Sequence, residues 1–234
     1  MTPRLRGPLF FALTALLALG FARLGWWQVT RLRERRAANA HALTARVAPA
    51  IGLDSIALVG ALDNRRVELS GQYDLAAEMI LRGQSEQGVP GVRILTPLRL
   101  AGRDDAVLVQ RGFVTSGDAR AVELSALREE GFQRVRGIAF TVPAQTGEPL
   151  EEAGQLTWRR VDLPAMGARL PYRLLPFVVL QLPDSGLPPL PRRDDLPPLD
   201  DGPHLSYAVQ WFSFAVTALV VGGLVGFRKP ATRA

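Results

Sequence analysis

Two stretches of this chain carry almost no polar residues, and they lie at its two ends. Leu9 to Phe21 is apolar throughout, and Tyr207 to Phe227 runs 21 residues without a charge. A helix needs about 20 apolar residues to cross the hydrocarbon of a bilayer. Both stretches therefore predict membrane helices, over 9–28 and 207–227. Arg23 falls late in the first, where a long side chain can snorkel to the headgroups. Trp26 and Trp27 follow it and suit the interface belt. The rival reading, a cleaved signal peptide, would use Ala38-Asn39-Ala40. That site lies beyond Arg31, Arg33, Arg35 and Arg36, far from the apolar run, which favours an uncleaved anchor.

Between the two stretches the period changes. Val29 to Val59 reads as helical, with Pro49 and Gly52 ending or bending it. From Arg66 to Tyr73 apolar and polar residues alternate, as in a half-buried strand. Further strands are expected at Glu78–Arg82, Val92–Leu100, Ala106–Val114, Phe132–Val142, Leu156–Leu163 and Leu175–Leu182. Turns are expected at Gly88–Gly91 and Ala101–Asp105, and a short helix over Asp118–Glu130. Such spacing predicts a mainly antiparallel β domain with some helix (α+β), a sandwich or a barrel. Pro183 to Pro203 holds seven prolines among charges and reads as an extended linker.

The expected organisation is an N-tail (1–8), a first span (9–28), a β-rich domain with an N-terminal helix (29–182), a Pro-rich linker (183–206), a second span (207–227) and a basic tail (228–234). Arg228, Lys229 and Arg233 follow the second span and Asp200 and Asp201 precede it, so the positive-inside rule puts the C-terminus in the cytoplasm. An even number of crossings puts the N-terminus there too and the β domain outside. The arginines after the first span pull against that orientation. Gly222 and Gly226 form a G-x-x-x-G pair suited to close helix approach, and Gln210, Ser213 and Thr217 share a face able to bond across a bundle.

Charge and composition narrow the chemistry. The net charge of +6 is almost wholly arginine. No zinc-finger, RRM or KH pattern accompanies it, which argues against nucleic acid. The chain has no cysteine, hence no disulfide, thiolate metal site or cysteine nucleophile. The only lysine, Lys229, lies outside the β domain, so a serine–lysine dyad has no lysine there. The two histidines, His41 and His204, suit neither a triad nor a zinc cluster. Asp104-Asp105, Glu129-Glu130 and Glu151-Glu152 read as solvated pairs rather than acid–base machinery. The inventory points away from an enzyme and toward binding or assembly. His204, at the mouth of the second span, is the exception, because a neutral imidazole can ligate a haem iron.

Three segments together resemble one family. Leu24-Gly25-Trp26-Trp27-Gln28-Val29-Thr30-Arg31 is similar to the L-G-x-W-Q-x-x-R pattern that follows the first helix of the Surfeit-locus cytochrome oxidase assembly proteins. Val107-Leu108-Val109-Gln110-Arg111-Gly112-Phe113-Val114 resembles their strand V-L-V-N-R-G-W-V, departing at Gln110 and Phe113. His204-Leu205-Ser206-Tyr207-Ala208-Val209-Gln210-Trp211-Phe212 resembles their H-x-x-Y-A-x-Q-W-F entry to the last helix. Gly71-Gln72-Tyr73-Asp74 is a weaker fourth match.

The resemblance implies a non-enzymatic assembly chaperone of haem-copper (cytochrome c) oxidase, inserting haem a into the catalytic subunit or stabilising that subunit. It implies His204 as candidate axial ligand, with Tyr207, Gln210 and Trp211 shaping the contact and Gly25, Trp27, Gln28 and Arg31 on the facing border. Arg31, Arg33 and Arg35 would serve the propionates. Gly71, Arg111 and Gly112 are expected in the fold or an interface. The implied partners are the oxidase catalytic subunit, a haem a synthase and membrane lipid. A scaffold that never touches cofactor, and a membrane-tethered enzyme, remain the alternatives. The absence of a transit sequence points to a bacterial plasma membrane.

Overall fold

The computed structural model describes residues 3–52, 62–143, 146–152 and 154–227, with side chains from Gly7 onward. The chain divides into two compact units, Met1–His41 with Leu199–Ala234, and Ala42–Pro198. The basic tail after Phe227, and the Leu58 end of the expected first helix, lie outside the described residues.

The first unit is a pair of antiparallel helices. Helix α1 spans Pro3–Val47 and contains both the expected span and most of the helix after it. Helix α3 spans His204–Gly226, beginning three residues before the expected Tyr207. Both are long and apolar enough to cross a membrane. Their contact follows a seam with alternating steps of four and three. On α1 it runs through Gly7, Phe11, Thr14, Ala18, Phe21, Gly25 and Gln28, each buried or half-buried among mostly exposed neighbours. This is the period of left-handed helix pairs. Small residues let the backbones approach, which matters where lipid removes the hydrophobic drive. A methyl on Gly7 would meet the Gly226 carbonyl oxygen at 2.3 Å, and one on Gly222 would meet Thr14 Oγ1 at 2.0 Å. Phe11 packs on Phe227 and Phe21 on Trp211, with ring centroids 5.1 and 5.7 Å apart. The G-x-x-x-G pair is thus in the seam. The polar face is not: Ser213 Oγ donates to the Val209 carbonyl and Thr217 Oγ1 to the Ser213 carbonyl, and Gln210 faces outward. A hydroxyl in a helix finds its own i−4 carbonyl more easily than a neighbouring helix.

The second unit is an eight-stranded sheet of which five strands close on themselves. Its strands are β1 (Arg65–Tyr73), β2 (Met79–Glu86), β3 (Val89–Leu100), β4 (Asp105–Thr115), β5 (Phe132–Phe140), β6 (Leu150–Glu152), β7 (Gln155–Trp158) and β8 (Arg173–Gln181), with α2 (Leu163–Gly167) before β8. The order is β1-β5-β8-β4-β3-β2-β7-β6, and β1 pairs with β3 as well. Strand β3 is long enough to serve two neighbours: Leu98–Leu100 closes the ring on Tyr73–Gly71, while Val89–Leu95 carries β2. Of the two sequence alternatives, the barrel is the one adopted. Pairing is antiparallel except at β4–β8 and β2–β7. Val67, Leu69, Val107, Val109, Val135, Phe177 and Val179 alternate inward to fill the ring, and Met79, Leu95, Leu108, Trp158 and Met166 form a second core under α2.

Several sequence expectations shift. The turn before β3 is Gln87-Gly88 rather than Gly88–Gly91: Glu86 pairs with Val89 and both loop residues have positive φ (51° and 82°), the tight hairpin turn that matches strand twist. Asp118–Glu130 is not an α-helix. Only Leu124–Leu127 makes a 3₁₀ turn. The Asp118 carboxylate accepts from the Arg120 N–H and the Ser116 hydroxyl, and Glu123 accepts from the Ser125 N–H, so local side-chain bonds displace helical ones. The strand from Leu156 stops at Trp158, because Asp162 caps α2 by accepting from the Ala165 and Gly147 N–H groups. Short β6 has no sequence expectation. The Pro-rich stretch turns at Asp184–Leu187 rather than running extended throughout, and is pinned where Arg192 and Phe113 exchange backbone hydrogen bonds of 2.8 and 2.9 Å.

Gly71 sits where β1 meets β3, and a methyl there would lie 1.9 Å from the Arg99 carbonyl oxygen. Gly71→Ala should open that closure and cost about 1–3 kcal/mol. Gly117→Ala, with open space around it, should leave the midpoint of thermal unfolding unchanged. Equal midpoints for the two variants would contradict the ring closure.

Candidate functional site

The sequence-singled residues fall into two groups, one in each unit. In the helix pair, the seam sets the register of the polar end. Stepping from Gly7 beside Gly226 brings Gln28 opposite His204, the first residue of α3. His204 Nδ1 lies 2.8 Å from Gln28 Oε1. An amide oxygen accepts, so the imidazole proton sits on Nδ1 and the Nε2 lone pair is left available. Gln28 is buried and His204 half-buried, so the ring is held from one side and open on the other. Gly25, one turn below, packs closely under Phe212, since a methyl there would lie 3.0 Å from its ring.

The remaining members separate by helix face. Trp211 lies on the same side of α3 as His204, stacked on Phe21. Tyr207 flanks that side and is exposed, and Gln210 is turned away from α1. The Arg31 guanidinium stands 5.6 Å over the Trp27 ring and pairs with Glu34 at 2.8 Å. Arg33 stands over Trp26, on the side of α1 away from the seam, so it does not join the others. Arg35 donates to the Asp200 carbonyl at 3.1 Å and Arg36 pairs with Asp201 at 2.8 Å. Asn39 also donates to the Asp200 carbonyl. The acidic pair before α3 is thus gripped by the basic turns of α1. These ion pairs are exposed, and exposed pairs contribute about 0–1 kcal/mol. They can yield to a stronger anion.

The second group lies inside the β unit. Strand β4 carries one extra residue against β3, since Ile94 faces Gly112 while Leu95 faces Gln110. Arg111 is that residue. Gly112, at φ 150°, permits the bulge, and a methyl there would meet the Arg192 carbonyl oxygen at 2.3 Å. The bulge drives a fully buried guanidinium inward over the Tyr73 ring, 5.1 Å away. Arg111 Nη1 pairs with Glu78 at 2.5 Å, and Nη2 with Glu129 at 2.7 Å and with the Leu127 carbonyl. Glu78 accepts from Thr96 at 2.6 Å. Arg193 from the Pro-rich stretch pairs with Glu129 and bonds to the Pro191 carbonyl at 2.6 Å and Gln181 at 3.3 Å. Two arginines and two carboxylates therefore balance in the interior. Burial pushes the Glu78 carboxyl up, with Thr96 and Arg111 opposing it. Beside this node, Gln110 and Arg93 both bind Asp194, at 2.7 and 3.0 Å.

Sequence reasoning placed Arg111 and Gly112 in the fold but missed their partners. Glu129, read as half of a solvated pair, is buried and shared by two arginines. Glu78, Arg193 and Asp194 were not singled out at all. The arrangement suits a structural lock, since both guanidiniums are buried and paired with carboxylates.

The comparisons with known proteins agree with one another. Residues 15–216 match the model of the SURF1 family. A SURF1-like protein of Monosiga brevicollis is 28% identical, the match covering 97% of this chain and 94% of that one. A SURF1-like protein of Rickettsia felis is 24% identical, covering 89% and 90%. One from Rickettsia conorii is 23% identical, covering 91% and 87%.

Removing one member of a buried ionic cluster strands the others. Arg111→Met should cost about 3–5 kcal/mol in chemical unfolding of the full chain. The raised Glu78 carboxyl means that the folded state holds this proton to higher pH than the unfolded state does. The variant's deficit should then be smaller at pH 5 than at pH 8. A deficit under about 1 kcal/mol, or one that grows on acidification, would contradict the lock.

Proposed function

The chain belongs to the SURF1 family, and from that premise we propose that it is an assembly factor for haem-copper (cytochrome c) oxidase that presents a half-held imidazole, His204, to haem a. The observation that carries the reading is the Gln28–His204 contact, which fixes the tautomer and ring orientation while leaving Nε2 without a partner among the described residues. A ligand histidine anchored through its other nitrogen is the usual arrangement at metal centres.

The residues present fit the group. The donor is an imidazole nitrogen, and Arg31 and Arg35 sit on the same polar rim in ion pairs weak enough to exchange for propionates. Haem a, when bound, would supply an iron that the His204 nitrogen can ligate. The chain's part is to orient His204 through Gln28, to pack the helix pair through Trp211 and Phe21, and to set positive charge at the rim. Tyr207 lies one turn along α3 from His204 and is exposed. Gln210, facing outward, is assigned to a partner surface instead.

The partners proposed are the oxidase catalytic subunit and a haem a synthase within membrane lipid, with no nucleic acid. The chain acts as a chaperone rather than an enzyme. The proposed setting is a bacterial plasma membrane, with both termini cytoplasmic and the β domain outside. The flanking charges around the second apolar stretch support that orientation.

The test uses purified full-length protein from cells making haem a. His204→Ala should abolish the visible haem absorption, and Gln28→Leu should weaken it and shift its maximum while leaving the β-domain unfolding midpoint unchanged. Haem content unaffected by His204→Ala would remove the ligand. Full oxidase assembly in cells lacking the protein would remove the assembly role as well.

A further inference from the structure

Helix α1 carries a second seam. Leu13, Leu17, Gly20, Leu24 and Trp27 repeat with the same four–three spacing as the α3 seam, rotated about a quarter-turn around α1, and all are exposed. Leu13, Leu17, Gly20 and Leu24 border a groove of about 660 Å³ whose rim includes Arg23. A methyl on Gly20 would meet nothing within 4 Å, so the groove has an open notch at its middle. The Arg23 guanidinium makes no hydrogen bond, ion pair or ring contact with any described residue.

Arg23 lies about 5 Å inside the tryptophan pair along the helix axis. Side chains on a helix lean toward its N-terminus, so this one leans deeper into the span, over Gly20, and away from the nearer headgroups. A charge so placed either extends to the headgroups against that lean or pairs at its own depth. A lipid phosphate sits at headgroup level and is reached only against that lean. A second copy of α1 across the groove would set Arg23 against Arg23. We propose that this seam docks a transmembrane helix of another protein that carries a carboxylate, which pairs with Arg23 over the Gly20 notch while its apolar face fills the Leu13–Leu17–Leu24 side. Arg is suited to such a bidentate pair, and an exposed glycine is suited to close helix approach. The proposal concerns a face of α1 other than the His204 side and stands whether or not His204 binds haem.

The chain lacks cysteine, so Ala37→Cys provides a single labelling site on an exposed position of α1. The labelled full-length protein is placed in phosphatidylcholine vesicles with synthetic leucine–alanine transmembrane peptides bearing Glu, Gln or Leu at the depth of Arg23. Association is read by energy transfer. The Glu peptide should bind at least about fivefold more tightly than the Gln peptide. Arg23→Gln should erase that preference, and Gly20→Ile should weaken the Glu peptide without moving the β-domain unfolding midpoint. Equal binding of the three peptides overturns the proposal, as does a Glu preference that survives Arg23→Gln. If phosphatidylglycerol in the vesicles abolishes the Glu preference wherever Arg23 is present, the occupant is a lipid phosphate and the helix proposal falls.

Discussion

Backbone-to-backbone approach at two glycines sets the rest of the helix pair. In hydrocarbon, apolar side chains gain nothing by leaving lipid for one another, so fit and close contact decide which faces meet. Gly7 against Gly226 and Gly222 against Thr14 leave no room for a slipped register. Each further step of the seam adds a contact that agrees with the first: Phe11 on Phe227, Phe21 on Trp211, Gly25 under Phe212. About 31 Å along the axis from Gly7, the same register delivers Gln28 to His204 at the polar rim. The functional geometry is thus a consequence of packing at the far end of the span.

The β unit solves a different problem with an ionic device. A closed ring of five strands has no room for a charged side chain unless something redirects it. The bulge at Arg111 and the glycine after it supply that redirection. Glu78 and Glu129 then neutralise the guanidinium within the interior, and Glu129 also holds Arg193, drawing the Pro-rich stretch against β4. A buried cluster of this kind adds little net stability over apolar packing, yet losing a single member is costly. It fixes one arrangement of the 3₁₀ segment, the Pro-rich stretch and β4 against the alternatives.

Much of this was legible in the sequence wherever a period runs long. The two apolar stretches, the alternating strand at Arg66–Tyr73 and the Gly222/Gly226 pair all have local signatures. The resemblance at Leu24–Arg31 and His204–Phe212 named both halves of the rim before any geometry. What stayed hidden depends on distant pairing. Nothing adjacent to Glu129 tells it apart from Glu130, because its partners are 18 and 64 residues away. The Asp118–Glu130 segment carries helix-compatible residues whose short side chains bind their own backbone instead. Arg33 belongs to the same basic run as Arg31, and only the helical rotation puts it on the other side of α1.

The register of the helix seam is the claim on which the imidazole geometry rests, and the absence of native cysteine makes it directly measurable. Gln28→Cys with His204→Cys, oxidised in membranes of cells making the full-length chain, should form an intramolecular disulfide in high yield, since the two native side chains touch at 2.8 Å. No disulfide for that pair, together with efficient crosslinking of His204→Cys to Leu24→Cys or Leu32→Cys one turn away, would place His204 beside a residue other than Gln28 and contradict the account.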